Sequence, residues 1–301
     1  MSGGSTPAVT TYRVVHRTTY QYGSTMTDGY SVACLAPRST DWQTVRSSRL
    51  TVDPDVPEID TFVDAFGNRQ YQFGVHVPHE HLVITAESVV DVTAREDPID
   101  ATPWDEVVDR LATATGATAL ETGWFRTTSL LVDLESLAVP LGALTRDVFV
   151  PGRGIVDAVR ALCHEIYTTF EFDAHFSNVS TPLVEVLAER RGVCQDFAHL
   201  AIAGLRSVGL AAGYVSGYIE TVPPPGQERL VGADASHAWC SVWTPEAGWV
   251  TFDPTNDHLP ANDHVTVAWG RDYADVIPVR GVMIGPAAAQ TLDVAVDVER
   301  L

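Results

Sequence analysis

Residues 11–22, TYRVVHRTTYQY, alternate: Tyr12, Val14, His16, Thr18, Tyr20 and Tyr22 fall on one face, and Arg13, Val15, Arg17, Thr19 and Gln21 on the other. A period of two with one wetter face predicts a strand. The segment DTFVDAFGNRQYQFGVHV keeps the same phase at Tyr71, Phe73, Val75 and Val77 after a Gly67-Asn68 turn, which predicts a hairpin. HLVITAESVVDVTA follows as another strand, so residues from about 10 to 95 read as an all-β module.

After REDPIDATP the pattern changes to short helices and irregular connections through residue 150. Ile155, Val159, Leu162 and Ile166 then recur at helical spacing. Thr181-Pro182 predicts a helix N-cap and first position, with LVEVLAERRG stopping at Gly192. A further helix is predicted from Cys194, or just before it, to near Gly209. AAGYVSGYIE, SHAWCSVW, GWVTFD and QTLDVAVDVER read as strands, and Pro223, Pro224, Pro225 and Gly226 mark an exposed loop. The fold class is α+β, an antiparallel β domain followed by a helix packed on an antiparallel sheet. The expected division is 1–98 for the N-terminal β-rich domain, 99–150 for a helical and irregular connection, and 151–301 for the second domain.

Composition narrows the function. Acidic residues outnumber basic ones 39 to 19, and every basic residue is arginine. Such an acidic chain repels the polyanions of nucleic acid and anionic membrane, so neither is an expected partner. The first residues carry no basic, apolar leader, and no run approaches the roughly 18 apolar residues of a membrane span, which predicts a soluble cytoplasmic protein. Cys34, Cys163, Cys194 and Cys240 are irregularly spaced with no CxxC, so free thiols are expected rather than a disulfide framework or a zinc ribbon.

One thiol stands apart. Cys194 follows a Gly-Val step at the start of a small-residue helix, where unpaired amides and the helix dipole favour a thiolate and an oxyanion. If the hairpin in SHAWCSVWTPEAGWVTFDPTN is centred on Pro245, Trp243 faces Ala247 and His237 faces Asp253, with Cβ atoms roughly 4.5–5.5 Å apart. A carboxylate then fixes the imidazole while its other nitrogen faces the thiol. The bland reading of Cys194 as a buried small hydrophobe does not explain that pair, whereas it suits Cys34, Cys163 and Cys240.

GVCQDFAHLA, YVSGY, ASHAW and GWVTFDPTN resemble the motifs of the bacterial transglutaminase-like superfamily, and HRTTYQY and DAFGN resemble its N-terminal β domain. The likeness extends through GRDYADVIPVRGV. It implies a papain-like core with Cys194 as nucleophile, His237 as general base and acid, and Asp253 as its orienter. It also implies thiol chemistry of a cysteine protease or amidase on a peptide or protein substrate, with no cofactor and no metal. Hydrolysis is the favoured outcome; protein-glutamine transamidation and a non-catalytic peptide-binding scaffold are the alternatives. Relatives usually carry arginine before YVSGY, where this chain has Gly213.

Four neighbours are candidate supporting residues: Gln195 as an oxyanion donor, Asp196 and His199 sharing a helix face, and Trp239 as a cleft wall. Asp257, His258, Asp263 and His264 read as a polar loop in preference to a metal site, and His76, His79 and His81 as a solvated strand end.

Overall fold

The computed structural model describes residues 7–220, 236–286 and 289–301. The Pro223–Gly226 loop lies outside the described residues. Strands β1 (Val9–Met26), β2 (Asp28–Ala33), β3 (Gln43–Asp53), β4 (Asp60–Val63), β5 (Arg69–Val75) and β6 (His79–Thr93) build the N-terminal module. The predicted alternation of β1 holds, with Tyr12, Val14, His16 and Thr18 buried and Arg13 and Arg17 exposed.

The helices come next: α1 (Trp104–Ala112), α2 (Gly116–Thr122), α3 (Leu134–Thr145) and α4 (Ile155–Thr169). Two-residue strands β7 (Glu171–Phe172) and β8 (Arg191–Gly192) bracket α5 (Leu183–Glu189) and pair in parallel. Pro182 caps α5 where the sequence suggests Thr181, and the helix ends earlier than Gly192 because Arg190 turns into the left-handed region at φ 52°.

Helix α6 (Cys194–Ser207) then runs through the core, with every residue from Asp196 to Arg206 buried. It packs on a sheet ordered β11-β10-β9-β12, formed by β9 (Ala212–Ile219), β10 (Ser236–Thr244), β11 (Gly248–Phe252) and β12 (His264–Gly270). The small side chains Ala198, Ala201, Ala203 and Gly204 let that sheet and the surrounding helices close on α6.

The chain's last strands return to its beginning. β13 (Val279–Ile284) pairs with β2, and β14 (Gln290–Arg300) pairs with β1, giving sheets ordered β13-β2-β5-β4 and β14-β1-β6-β3. Placing all of 151–301 in one unit therefore separates these two strands from their hydrogen-bond partners. Val296 and Val298 join Tyr12, Val14, Val90 and Val92 in the same buried cluster as α4 and α6, so one core spans both modules.

Candidate active site

Three local features hold the start of α6. Val193 is the N-cap, and the buried Asp196 carboxylate accepts its backbone N–H at 2.8 Å. Ser177 Oγ donates to the same Asp196 oxygen. A Cβ on Gly192 would stand 2.8 Å from Asp196 Oδ2 and 2.9 Å from its Cβ, so only glycine admits the carboxylate here. Burial raises the Asp196 pKa against these hydrogen bonds. The first helical bond is Phe197 N–H to the Val193 carbonyl at 3.1 Å, which leaves the amides of Cys194, Gln195 and Asp196 without an intrahelical acceptor. Cys194, half-buried, stands at this positive end.

His237 is the second residue of β10 and is 8% exposed. Its Nε2 donates to Asp253 Oδ2 at 2.7 Å, and the Cys194 thiol lies near enough to the ring to act on its charge. The fold brings the imidazole onto the carboxylate, with the thiol of Cys194 beside the ring. The register that brings them together differs from the expected one: Trp243 faces Trp249 and Thr244 faces Gly248, so the turn is centred one residue beyond Pro245. Gly248 takes φ +67°, the left-handed conformation that closes the turn over residues 245–247. Continuing that register puts Asp253 opposite Trp239, two positions from His237. Residues two apart on a strand share a face, so the side chains still meet, on a diagonal.

Asp253 lies just past β11 and is fully buried. Its Oδ1 accepts the Thr255 amide at 2.9 Å and the Asn256 amide at 3.3 Å. Its Oδ2 accepts Asn256 Nδ2 at 2.7 Å and His264 Nε2 at 3.0 Å besides His237. Burial opposes ionisation, but the bonds from His237 and His264 outweigh it and hold the carboxyl far below the usual range. Burial likewise opposes a charged His237. The hydrogen bond to Asp253 and the neighbouring Cys194 outweigh it, and its pKa is pushed up to about 10.

The supporting candidates divide. Trp239 is 1% exposed, lies parallel to the His237 ring at 6.0 Å and meets His264 edge-on at 4.8 Å, so it walls the pair. Asp196 and His199 do not bond to each other: His199 Nε2 accepts the Tyr273 amide at 3.1 Å, and burial lowers its pKa to about 4. His199 is thus a neutral structural ring. Gln195 and His199 line a cavity of about 300 Å³ against Leu131, Leu137 and Pro182. Gly213 packs under Phe125, whose ring carbons would lie 3.2 Å from any Cβ there. The ring and Ser241 close over the space a larger side chain would enter.

His264, Asn256 and Ser177 escape a reading of the sequence, because their contacts with Asp253 and Asp196 are set by the fold rather than by a local pattern. His258, Asp263 and His264 prove not to be plain loop: His264 is the buried first residue of β12. His76 and His81 bond separately to Asp28 and Asp53, and His79 is buried rather than solvated. The remaining thiols are buried, as expected.

A helix-borne thiol, a strand imidazole and a buried carboxylate on this α+β frame define the class. Residues 12–91 match the bacterial transglutaminase-like N-terminal region, and residues 143–254 match the transglutaminase-like superfamily. The chain belongs to that superfamily. It is 41% identical to an uncharacterized protein of Mycobacterium tuberculosis over 95% of this chain and 92% of that one. An uncharacterized protein of Mycobacterium leprae is 32% identical over 96% and 98%. Over 72 residues, 24% of this chain and 11% of the other, it is 38% identical to a protein-glutamine gamma-glutamyltransferase of Pseudomonas aeruginosa. A crystal structure of a candidate cysteine protease from Cytophaga hutchinsonii shares the fold, with a TM-score of 0.75 and 21% identity over 99% of this chain and 92% of that chain. Among the described residues no helix is long and apolar enough to cross a membrane.

Proposed function

We propose that this chain is a thiol hydrolase of amide bonds in a peptide or protein substrate. The observation that carries the reading is the buried hydrogen bond of 2.7 Å from His237 to Asp253, with the Cys194 thiol beside the same ring. A packing cysteine has no use for an imidazole held in that way. His237 takes the Cys194 proton and the thiolate attacks the carbonyl carbon, with the amides at the start of α6 facing the oxyanion. As the C–N bond breaks, His237 returns the proton to the leaving amine. Water, deprotonated by His237, then attacks the thioester, and cleavage of the C–S bond releases the acid and restores the thiol.

Transamidation, in which a primary amine replaces water, has one specific point in its favour: the 38% identity over 72 residues to the Pseudomonas glutamyltransferase. Mass spectrometry of a glutamine-containing peptide incubated with and without a primary amine separates the readings. Cleavage or a deamidation shift, lost in Cys194→Ala, supports hydrolysis; an added amine mass supports transfer. A substrate left intact by the wild type across a peptide library argues for a binding groove without chemistry.

A further inference from the structure

The polar chain continues past Asp253. His264 is 3% exposed, with Nε2 on Asp253 Oδ2 at 3.0 Å and Nδ1 3.0 Å from Asp263 Oδ1. That second contact lacks hydrogen-bond geometry, so His264 Nδ1 is a buried polar atom without a hydrogen-bond partner. Asp263 Oδ2 lies 3.1 Å from His258 Nε2, and His258 Nδ1 lies 3.3 Å from the Asn256 carbonyl oxygen. His258, Asp263 and His264 each offer one ligand atom, all within 4.8 Å of one another.

Tautomers decide what this cluster is for. A carboxylate can only accept, so His264 Nε2 carries that ring's proton on Asp253. The neutral ring then turns its Nδ1 lone pair toward Asp263 Oδ1, where it meets oxygen lone pairs. Positive charge relieves that contact, either as a second proton on His264 or as a cation, and His258 Nε2, 3.1 Å from Asp263 Oδ2, can turn a lone pair to the same ion. The off-angle contact at His264 Nδ1 suits an ion better than a proton bridge. Both rings also have the outer partners typical of metal-bound histidines, a carboxylate on one and a backbone carbonyl on the other.

We propose that His258 Nε2, Asp263 and His264 Nδ1 form a binding site for a divalent transition ion, with zinc the best match for two imidazoles, one carboxylate and a solvent ligand. Ligands of a tetrahedral zinc at 2.0–2.2 Å stand about 3.3–3.6 Å apart, so the widest pair of side-chain atoms has to close by roughly 1 Å. The side chains of His258 and Asp263 are 35% and 38% exposed, which gives both the slack and an entry path. The site is separate from the thiol but touches the triad, since an ion on Nδ1 fixes the His264 Nε2 proton on Asp253.

Calorimetric titration of zinc chloride into chelator-treated Cys194→Ala protein tests this with the competing thiol removed. One zinc per chain is expected. His258→Ala and Asp263→Asn, each checked for fold by circular dichroism, should weaken binding by at least about 100-fold, since even an outer-shell partner is commonly worth 10–100-fold. His237→Ala in the same background should retain the affinity. The proposal is overturned by the absence of stoichiometric binding, by full affinity in both His258→Ala and Asp263→Asn, or by binding lost only in His237→Ala, which would put the ion on the triad.

Discussion

His237 and Asp253 share a hydrogen bond of 2.7 Å although they are not opposite one another in the β10–β11 ladder. The carboxylate reaches back across the diagonal, and it stays there because Thr255, Asn256 and His264 hold it from other sides. The triad thus depends on a carboxylate cage as much as on a hairpin.

Replacing Asp253 by Asn tests that cage. An amide keeps the shape but loses the charge that supports the imidazolium, so amide-cleaving kcat should fall by on the order of 10³–10⁴ once a substrate is in hand. The measurement is single-turnover acyl-enzyme formation by mass spectrometry, and an unchanged rate would remove Asp253 from the mechanism.

The pH dependence of stability follows from His237. Its folded pKa, about 10, lies above its unfolded value of about 6.5. Its stabilising contribution is therefore fully present below about pH 6.5 and is lost as pH rises toward 10. Thermal melts across that window should show a steeper alkaline loss of Tm in the wild type than in His237→Asn. Parallel curves for the two proteins would contradict the assignment.

Gly192→Ala should destabilise the protein by roughly 1–3 kcal/mol, because its new methyl group overlaps the Asp196 carboxylate that holds the helix start. Chemical denaturation measures the loss. A variant as stable as wild type would show that Asp196 can move without consequence.

Asp196→Ala removes the acceptor for the Val193 amide and for Ser177 Oγ. Losing a helix cap typically costs about 0.5–2 kcal/mol. Cys194 sits on that first turn, so its alkylation should slow along with the stability loss. Lower stability with an unaltered alkylation rate would confine Asp196 to a structural role.

The triad was legible because each member sits beside a local signal: Cys194 at a helix start after Gly192-Val193, His237 and Asp253 on alternating strands around one turn. The exact register was not, since it depends on the left-handed Gly248. His264 was hidden for a different reason. Its partner Asp253 is close in sequence, but their meeting is set by β12 pairing with β9, a long-range choice that no local pattern records. The same holds for β14, which reads as a strand of the second domain and finds its partner in β1, and for β13, whose pairing with β2 no local pattern marks. Asp196 and His199 share a helix face yet bond to Ser177 and Tyr273, because helical spacing shows which residues are neighbours and not which partners the rest of the fold supplies.

The central claim is that His237 activates Cys194. Its most direct test is the rate of iodoacetamide labelling at neutral pH, followed thiol by thiol by peptide mass spectrometry in the wild type and in His237→Ala. Burial keeps Cys34, Cys163 and Cys240 as slow internal references, with Cys34 pushed up to about 12 and the other two raised as well. The account predicts that Cys194 labels first and slows by about tenfold or more when the imidazole is removed. Equal Cys194 rates in the two proteins would contradict it.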